Sequence, residues 1–392
     1  MLALVGRCCR RRLHPKNYSK GYHVLAIESS CDDSSVCLID RQPGKAKLID
    51  HETESLDSSA VGGIVPTDAK THHQGHVAPL VQKMLHRNGL QKVDLVCATR
   101  GPGMMGSLSA GFNVAKGLSV AWNVPMVGVH HMLGHLLTPR FFSNRTSPEY
   151  PFVSLLVSGG HTMLVLSKGI LDHQVLANTV DIAIGDMLDK CAREMGLKGN
   201  MLGKELERLT QSGVKIPAGF PEDLQFPNPL YNQQGRVNVP AFSFAPFISA
   251  VKRASKVHFN DQLDKIPHEA KVEFGKQIQG AIFHHLTTKV LLAMNQAHSR
   301  NDIDLEKPLD FVASGGVASN QTLRRTLKHS LPKTLRYHFP DPKWCTDNAL
   351  MIGWAGIELW EQARLHTDLA ALNKAKWPID QILNLDCWIS RD

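Results

Sequence analysis

Short apolar runs and polar turns alternate along the chain from Val24 onward. Val24-Leu-Ala-Ile-Glu-Ser-Ser30 predicts a buried strand and Val36-Cys-Leu-Ile-Asp40 its returning partner. Leu95 to Thr99 predicts another strand, after which Gly101-Pro-Gly-Met-Met-Gly-Ser107 opens a helix running to about Trp122. Met126 to Val129 is a strand followed by a helix through His131 and His135. The second half repeats this grammar. Phe152 to Val157 predicts a strand, Ser158-Gly-Gly-His-Thr162 a turn and Met163 to Leu166 its return. A long amphipathic helix follows at about Phe274 to His298, then a strand at Leu309 to Ala313. Ser314-Gly-Gly-Val-Ala-Ser-Asn320 opens a further helix, and a last helix follows Thr346-Asp-Asn348.

Strands followed by glycine-opened helices predict an α/β fold, and two halves with the same opening predict duplicated domains facing one cleft. The length of 392 residues fits two domains. The turn-rich Asn144-Arg-Thr-Ser-Pro-Glu149 marks the boundary, giving a domain at 24–148 and a second at 149–392 with a loop insertion around 199–270.

Charge changes this picture at one end. Arg7, Arg10, Arg11, Arg12, Lys16 and Lys20 supply six of the net +8, and no acid precedes Glu28. An Arg-rich, acid-free start is the pattern of a mitochondrial transit peptide, here placed at 1–23. The rest is nearly neutral, so only local patches argue for nucleic acid: Lys252-Arg253, Lys256 and Arg324-Arg325-Lys328. No apolar run is long enough to span a membrane. Eight scattered cysteines without a CxxC pair suggest neither a zinc ribbon nor a disulfide framework.

The chemistry concentrates in a few places. Three glycine turns, Gly101-Pro-Gly103, Ser158-Gly-Gly160 and Ser314-Gly-Gly316, let backbone amides approach an anion. His131 and His135, four apart, share a helix face and suit one metal ion, with Asp347 as the third ligand. His72, His73 and His76 form a rival cluster that spacing alone does not exclude. The HExxH protease reading fails, because Met132 and Gly134 stand where a general base would be needed. Asp32 and Asp33 occupy the first polar turn, either orienting a substrate or capping a hairpin. Asp186 and Asp189 begin a helix, either as caps or, for Asp189, as acceptor for ribose hydroxyls.

Taken in order, Leu25-Ala-Ile-Glu-Ser-Ser-Cys-Asp-Asp33, Gly62-Gly-Ile-Val-Pro66, Arg100-Gly-Pro-Gly103, Val129-His-His-Met-Leu-Gly-His135, Val157-Ser-Gly-Gly-His-Thr162, Ala313-Ser-Gly-Gly-Val-Ala-Ser-Asn320 and Cys345-Thr-Asp-Asn348 resemble the tRNA N6-adenosine threonylcarbamoyltransferases in their mitochondrial form. The resemblance implies two duplicated actin-like (ASKHA, ribonuclease-H-like) domains around a central cleft. It implies one divalent metal, iron or zinc, on His131, His135 and Asp347, which favours that cluster over the rival one. It also implies that Leu156, Val157, Ser158, Gly159 and Gly160 hold a threonylcarbamoyl-adenylate, with Asp189 at its ribose and Asn320 at the nucleotide. Asp32 or Asp33 is then expected to position or deprotonate the attacking amine of a tRNA adenosine. A homodimer in the mitochondrial matrix is the implied setting. Three stretches depart from the family pattern. Gly199-Asn-Met-Leu-Gly203 replaces Tyr-Pro-Gly-Gly-Pro, with Gly203 and Glu207 filling those binding positions. Only the first half of Phe-Ser-Phe-Ser-Gly-Leu-Lys survives at Phe242, and Thr67 and Thr71 replace Glu and Arg. The competing readings are an actin-fold small-molecule kinase and a non-catalytic auxiliary protein of tRNA modification.

Overall fold

The computed structural model describes residues 21–57, 63–199, 201–213, 217–221, 224–230 and 238–390. The basic segment at 1–20 and Gly62 lie outside the described residues.

β1 (Tyr22–Glu28), β2 (Asp33–Gln42) and β3 (Lys45–Ser55) form an antiparallel meander, and β4 (Leu95–Gly101) and β5 (Met126–His130) join in parallel. The strand order is β3-β2-β1-β4-β5. Side chains alternate across this sheet with the period of two that a strand imposes. Leu25 and Ile27 pack with residues of α1 (Pro66–Arg87) and α2 (Met105–Trp122). Val24 and Ala26 face the other way, into the apolar cluster that also holds α3 (His131–Phe142), with the last long helix lying between.

The second sheet contains β6 (Phe152–Val157), β7 (Thr162–Ser167) and β8 (His173–Thr179) as a meander. Between them and the next long strand lie α4 (Ile184–Glu194), α5 (Leu202–Thr210), β9 (Ala241–Phe242), α6 (Ala245–Phe259) and α7 (His268–Ser299). β10 (Leu309–Ser314) then pairs parallel to β6, and after α8 (Gln321–Ser330), β11 (Leu335–His338) closes the edge. The order β8-β7-β6-β10-β11 repeats that of the first sheet, with β9 added beside β8. Two sheets with the same meander-then-parallel order are the duplicated ribonuclease-H-like, actin-like arrangement. The expected loop insertion at 199–270 holds two helices, α5 and α6, as well as β9.

The last elements return to the first sheet. α9 (Ala349–Glu361) follows the second sheet in sequence yet packs on β1, β2, β4 and β5. Eleven of its positions from Ala349 to Leu359 are buried, as a helix held between two layers requires. α3 and α9 cross closely at Gly134, where an added Cβ would lie 3.0 Å from Met351 Cγ. A buried ion pair of Arg140 on α3 with Glu358 on α9, 2.9 Å, fastens the same crossing. After α9, β12 (Leu365–Thr367) pairs with β13 (Trp388–Ser390), and the segment between them straps the first domain. Its Lys374 amide donates to Arg100 O at 2.9 Å, and Arg100 Nε donates to Leu372 O at 3.0 Å.

β1 begins at Tyr22, two residues before the strand anticipated from the apolar pattern, and the Tyr22 hydroxyl donates to Glu361 at 2.6 Å. A leader removed after residue 23 would take that tether with it. Among the described residues no helix is long and apolar enough to cross a membrane.

Candidate functional site

α3 starts directly from the end of β5, so its first residue, His131, stands at the mouth of the first sheet. His130 caps the helix. Its Nδ1 accepts from the Met132 amide at 3.1 Å, which makes Nε2 the donor to Trp377 O at 2.7 Å. Burial lowers His130 to about 3, so it is neutral and committed to the strap. His131 and His135 lie one turn apart on the buried face, their ring centroids 4.9 Å from each other.

Asp347 arrives from the loop before α9. Asn348 caps that helix through the Met351 amide, and the Ala349 amide donates to Ser35 Oγ on β2 at 3.0 Å. This docking carries Asp347 Oδ1 to 3.1 Å from His135 Nε2 and 3.4 Å from His131 Nε2. His131, His135 and Asp347 each bring one ligand atom within 4.8 Å of the others. Behind His131, Glu28 Oε2 lies 3.3 Å and Ser30 Oγ 3.1 Å from Nδ1. Burial alone drives both carboxyls upward, but the neighbouring imidazoles hold Glu28 below and Asp347 well below the ordinary carboxylate range. Burial opposes a charged His131, yet Asp347 and Glu28 raise it well above the usual histidine value. In the metal-free protein a proton therefore stands between the two carboxylates, where a cation would be favoured.

The rival histidines differ in their partners. His73 Nε2 donates to Cys31 O at 3.0 Å, so its Nδ1 accepts from the Ser34 hydroxyl at 2.7 Å. His72 Nε2 meets Glu54 O, and His76 Nδ1 meets His72 O. These rings brace the first loop and the end of β3.

Asp32 and Asp33 end that first loop. Asp33 Oδ1 accepts from Ser55 Oγ at 2.5 Å. Burial raises Asp33 to about 6; the Ser55 bond opposes this, and the charges of Asp32, Asp347 and Glu28 add to it. Asp32 accepts the Leu56 amide on its backbone oxygen.

The three glycine turns, similar in sequence, have different surroundings. Gly101–Gly103 is covered: the Gly103 amide donates to Ala375 O, and a Cβ on Gly101 would strike Lys374 O at 2.0 Å. Gly315 is pressed against Val157 O. Gly159 and Gly160 alone of the three pairs face open space on both residues. Leu156 and Val157 are buried side chains, so only their backbone faces this turn. The Ser158 amide donates to His161 O at 2.8 Å and the Gly160 amide to Ser158 Oγ at 3.3 Å. That leaves the Gly159 amide as the donor not committed inside the turn. His161, lowered to about 4 by burial and then by His131 and His135, borders the histidine pair and was not singled out in the sequence.

A second group gathers at α5 and α8. Asp189 Oδ1 accepts the Gly203 amide at 2.6 Å, capping α5, and burial raises this carboxyl. Glu207 Oε1 accepts the Gln321 amide at 2.7 Å, next to Asn320, whose own Oδ1 caps α8 through Leu323. The Gly185 amide at the start of α4 donates to Ser158 O at 3.1 Å, which joins this group to the open turn. Phe242 to Phe244 is held by Asp181, which accepts from Ser243 Oγ at 2.6 Å and the Phe244 amide at 2.9 Å.

The site's sequence context matches known proteins. The family model described as TsaD, tRNA N6-adenosine threonylcarbamoyltransferase, matches residues 47–354. A Schizosaccharomyces pombe protein named tRNA N6-adenosine threonylcarbamoyltransferase, mitochondrial, is 35% identical, covering 94% of this chain and 89% of its own. An Acidovorax protein named tRNA N6-adenosine threonylcarbamoyltransferase is 36% identical, covering 92% and 98%. Among solved structures, component A of the (R)-2-hydroxyglutaryl-CoA dehydratase of Acidaminococcus fermentans is 14% identical with a TM-score of 0.46, covering 85% of this chain and 96% of that one. With a family model over most of its length and relatives matched almost end to end, the chain belongs to the tRNA N6-adenosine threonylcarbamoyltransferase family.

Proposed function

We propose that the protein transfers the threonylcarbamoyl group from threonylcarbamoyl-adenylate to N6 of the adenosine 3′ of the anticodon, in mitochondrial tRNAs reading codons that begin with A. The observation that carries this reading is the convergence of His131, His135 and Asp347, inside a chain of this family. In the reaction, N6 forms a bond to the carbamoyl carbon, the bond from that carbon to the AMP oxygen breaks, AMP leaves with the electron pair, and N6 loses one proton.

Two neutral imidazoles and a carboxylate suit iron or zinc, and His131, His135 and Asp347 would hold one such ion. When bound, it supplies Lewis acidity and charge neutralisation for the acyl-phosphate. The chain's own groups do the rest. The Gly159 amide, uncommitted inside its turn, receives negative charge developing on the carbonyl oxygen in this reading. Asp33, raised to about 6, has the affinity of a base that accepts the N6 proton near neutral pH, with Asp32 beside it orienting the amine. Asp189, Gly203, Glu207 and Asn320 line the nucleotide side, though each carboxylate spends one oxygen on a helix N-terminus. The exposed faces around Arg253 and Arg325 offer cations to the tRNA backbone. The working form is a matrix homodimer.

Labelled threonylcarbamoyl-adenylate incubated with unmodified tRNA tests the reading. Wild type is expected to yield modified adenosine and His131→Ala/His135→Ala none. A folded, metal-loaded wild type that modifies no tRNA would overturn it.

A further inference from the structure

Glu28 ends β1 with its side chain completely buried. Its Oε1 accepts the Ser30 amide at 2.6 Å, and its Oε2 accepts from the Thr99 hydroxyl. Among the described residues its one ion pair is with His131 Nδ1. A fully buried carboxylate is costly unless hydrogen bonds and a positive charge offset it. The two hydroxyl and amide donors satisfy its hydrogen bonding, but they bring no charge. The offsetting charge must therefore come through His131, either as a proton on the ring or as a cation on the ring's far side.

We infer that Glu28 is a positioning residue for His131: it accepts the Nδ1 proton, fixes the tautomer whose Nε2 lone pair faces Asp347, and makes that ring the firmer of the two imidazole donors. The inference rests on the metal reading of the preceding section. Nδ1–H is shared between Glu28 Oε2 and Ser30 Oγ, so the ring cannot turn over without losing both acceptors. A carboxylate behind an imidazole also raises the donor strength of its other nitrogen. With both rings neutral, Glu28 and Asp347 together carry a charge of −2, which one divalent ion balances. His135 is held differently. Its Nδ1 is buried and meets no acceptor among the described residues. On the Nδ1 side the two imidazoles of the cluster are thus unequal: His131 meets a charged acceptor there and His135 is held by packing.

Glu28→Gln is the informative change. Its amide oxygen can keep the Ser30 bond, while its NH2 faces His131 Nδ1 as a donor. That reverses the hydrogen bond and turns Nε2–H toward Asp347. Zinc and cobalt(II) affinity of the full chain would be measured by competition with a chromophoric chelator, alongside the thermal stability of metal-free protein. Wild type is expected to bind one ion, and Glu28→Gln to bind it about 10- to 100-fold more weakly, while its metal-free form, less stable for want of the charged partner of His131, still unfolds in one cooperative transition. Wild-type affinity in Glu28→Gln would overturn the inference while leaving the metal site intact. A wild type that binds neither ion would remove the metal reading itself, and this inference with it. Should Glu28→Gln not fold, 15N shifts of His131 in the zinc-loaded wild type decide the matter: a protonated Nδ1 is expected, and a bare Nδ1 refutes the assignment.

Discussion

Replacing Gly315 by alanine tests how β6 and β10 together shape the open turn. Gly315 has φ 98° and ψ 160°, a region open essentially to glycine alone, and a side chain there costs about 1–3 kcal/mol. The new Cβ would also stand 2.3 Å from Val157 O and 2.7 Å from Val157 C. These are backbone atoms at the end of a parallel strand pair, so they cannot rotate away as a side-chain tip would. Relieving such overpacking adds roughly 1–3 kcal/mol. The expected destabilisation is therefore about 2–6 kcal/mol. Val157 leads directly into Ser158-Gly-Gly160, and an ångström of displacement there is expected to slow transfer about 100-fold. Gly159→Ala is the matched control. Nothing lies within 4 Å of its added Cβ, so stability should stay within about 0.5 kcal/mol of wild type while transfer falls, because the methyl occupies the substrate's space. Denaturant unfolding and single-turnover transfer at saturating tRNA would measure both variants. If Gly315→Ala unfolds within 1 kcal/mol, to order of magnitude, of wild type and transfers at the wild-type rate, the packing argument fails.

Asp33 is an acid whose folded affinity for its proton lies above the unfolded value, so the folded state binds more protons between the ordinary carboxylate range and about pH 6. Metal-free stability should therefore fall as pH rises through that window, and Asp33→Asn should remove this part of the slope. In the metal-loaded enzyme, the transfer rate should rise with a limb at or below about pH 6, since a bound cation offsets the repulsion from Asp347 and Asp32. A limb unchanged in Asp33→Asn would assign the proton transfer to another group. Among the histidines, His72→Ala/His76→Ala should leave metal content unchanged. His73→Ala should lower stability, because Ser34 and Cys31 O lose a buried partner. Metal lost in the double variant would return the rival cluster to consideration.

The strand and helix sequence was largely legible because the periods of two and 3.6 are local properties. Val24 to Glu28, the return at Val36 and the repeat at Phe152 all declare themselves within a dozen residues. Partnership was not legible. The histidine pairs at 72/76 and 131/135 have the same spacing. What separates them is that His72 and His76 meet carbonyls of nearby backbone, whereas Asp347 comes to His135 from 212 residues away. The Gly101-Pro-Gly103 turn reads like an anion cradle, and only Lys374 and Ala375, from a tail with little pattern of its own, show it to be covered. By its sequence Glu28 is one more residue of a strand. An acid closing an otherwise apolar strand was the available signal. Nor did sequence order reveal α9 on the first sheet, although its nearly unbroken apolar surface from Ala349 to Leu359 marks a helix with neighbours on every side.

The return of α9 sets a timetable for assembly. The face of the first sheet that carries Val24, Ala26, Cys37 and Ile39 is complete once β5 is made, but its cover comes only after the whole second sheet. A growing or threading chain therefore presents a bare apolar sheet for most of its synthesis, a natural substrate for a holding chaperone. Asp347 lies directly ahead of that cover, so the third ligand and the lid arrive together. Capture of the ion by all three ligands is then a certificate of completion: a chain that stalls or is clipped before α9 keeps both histidines and cannot close the site.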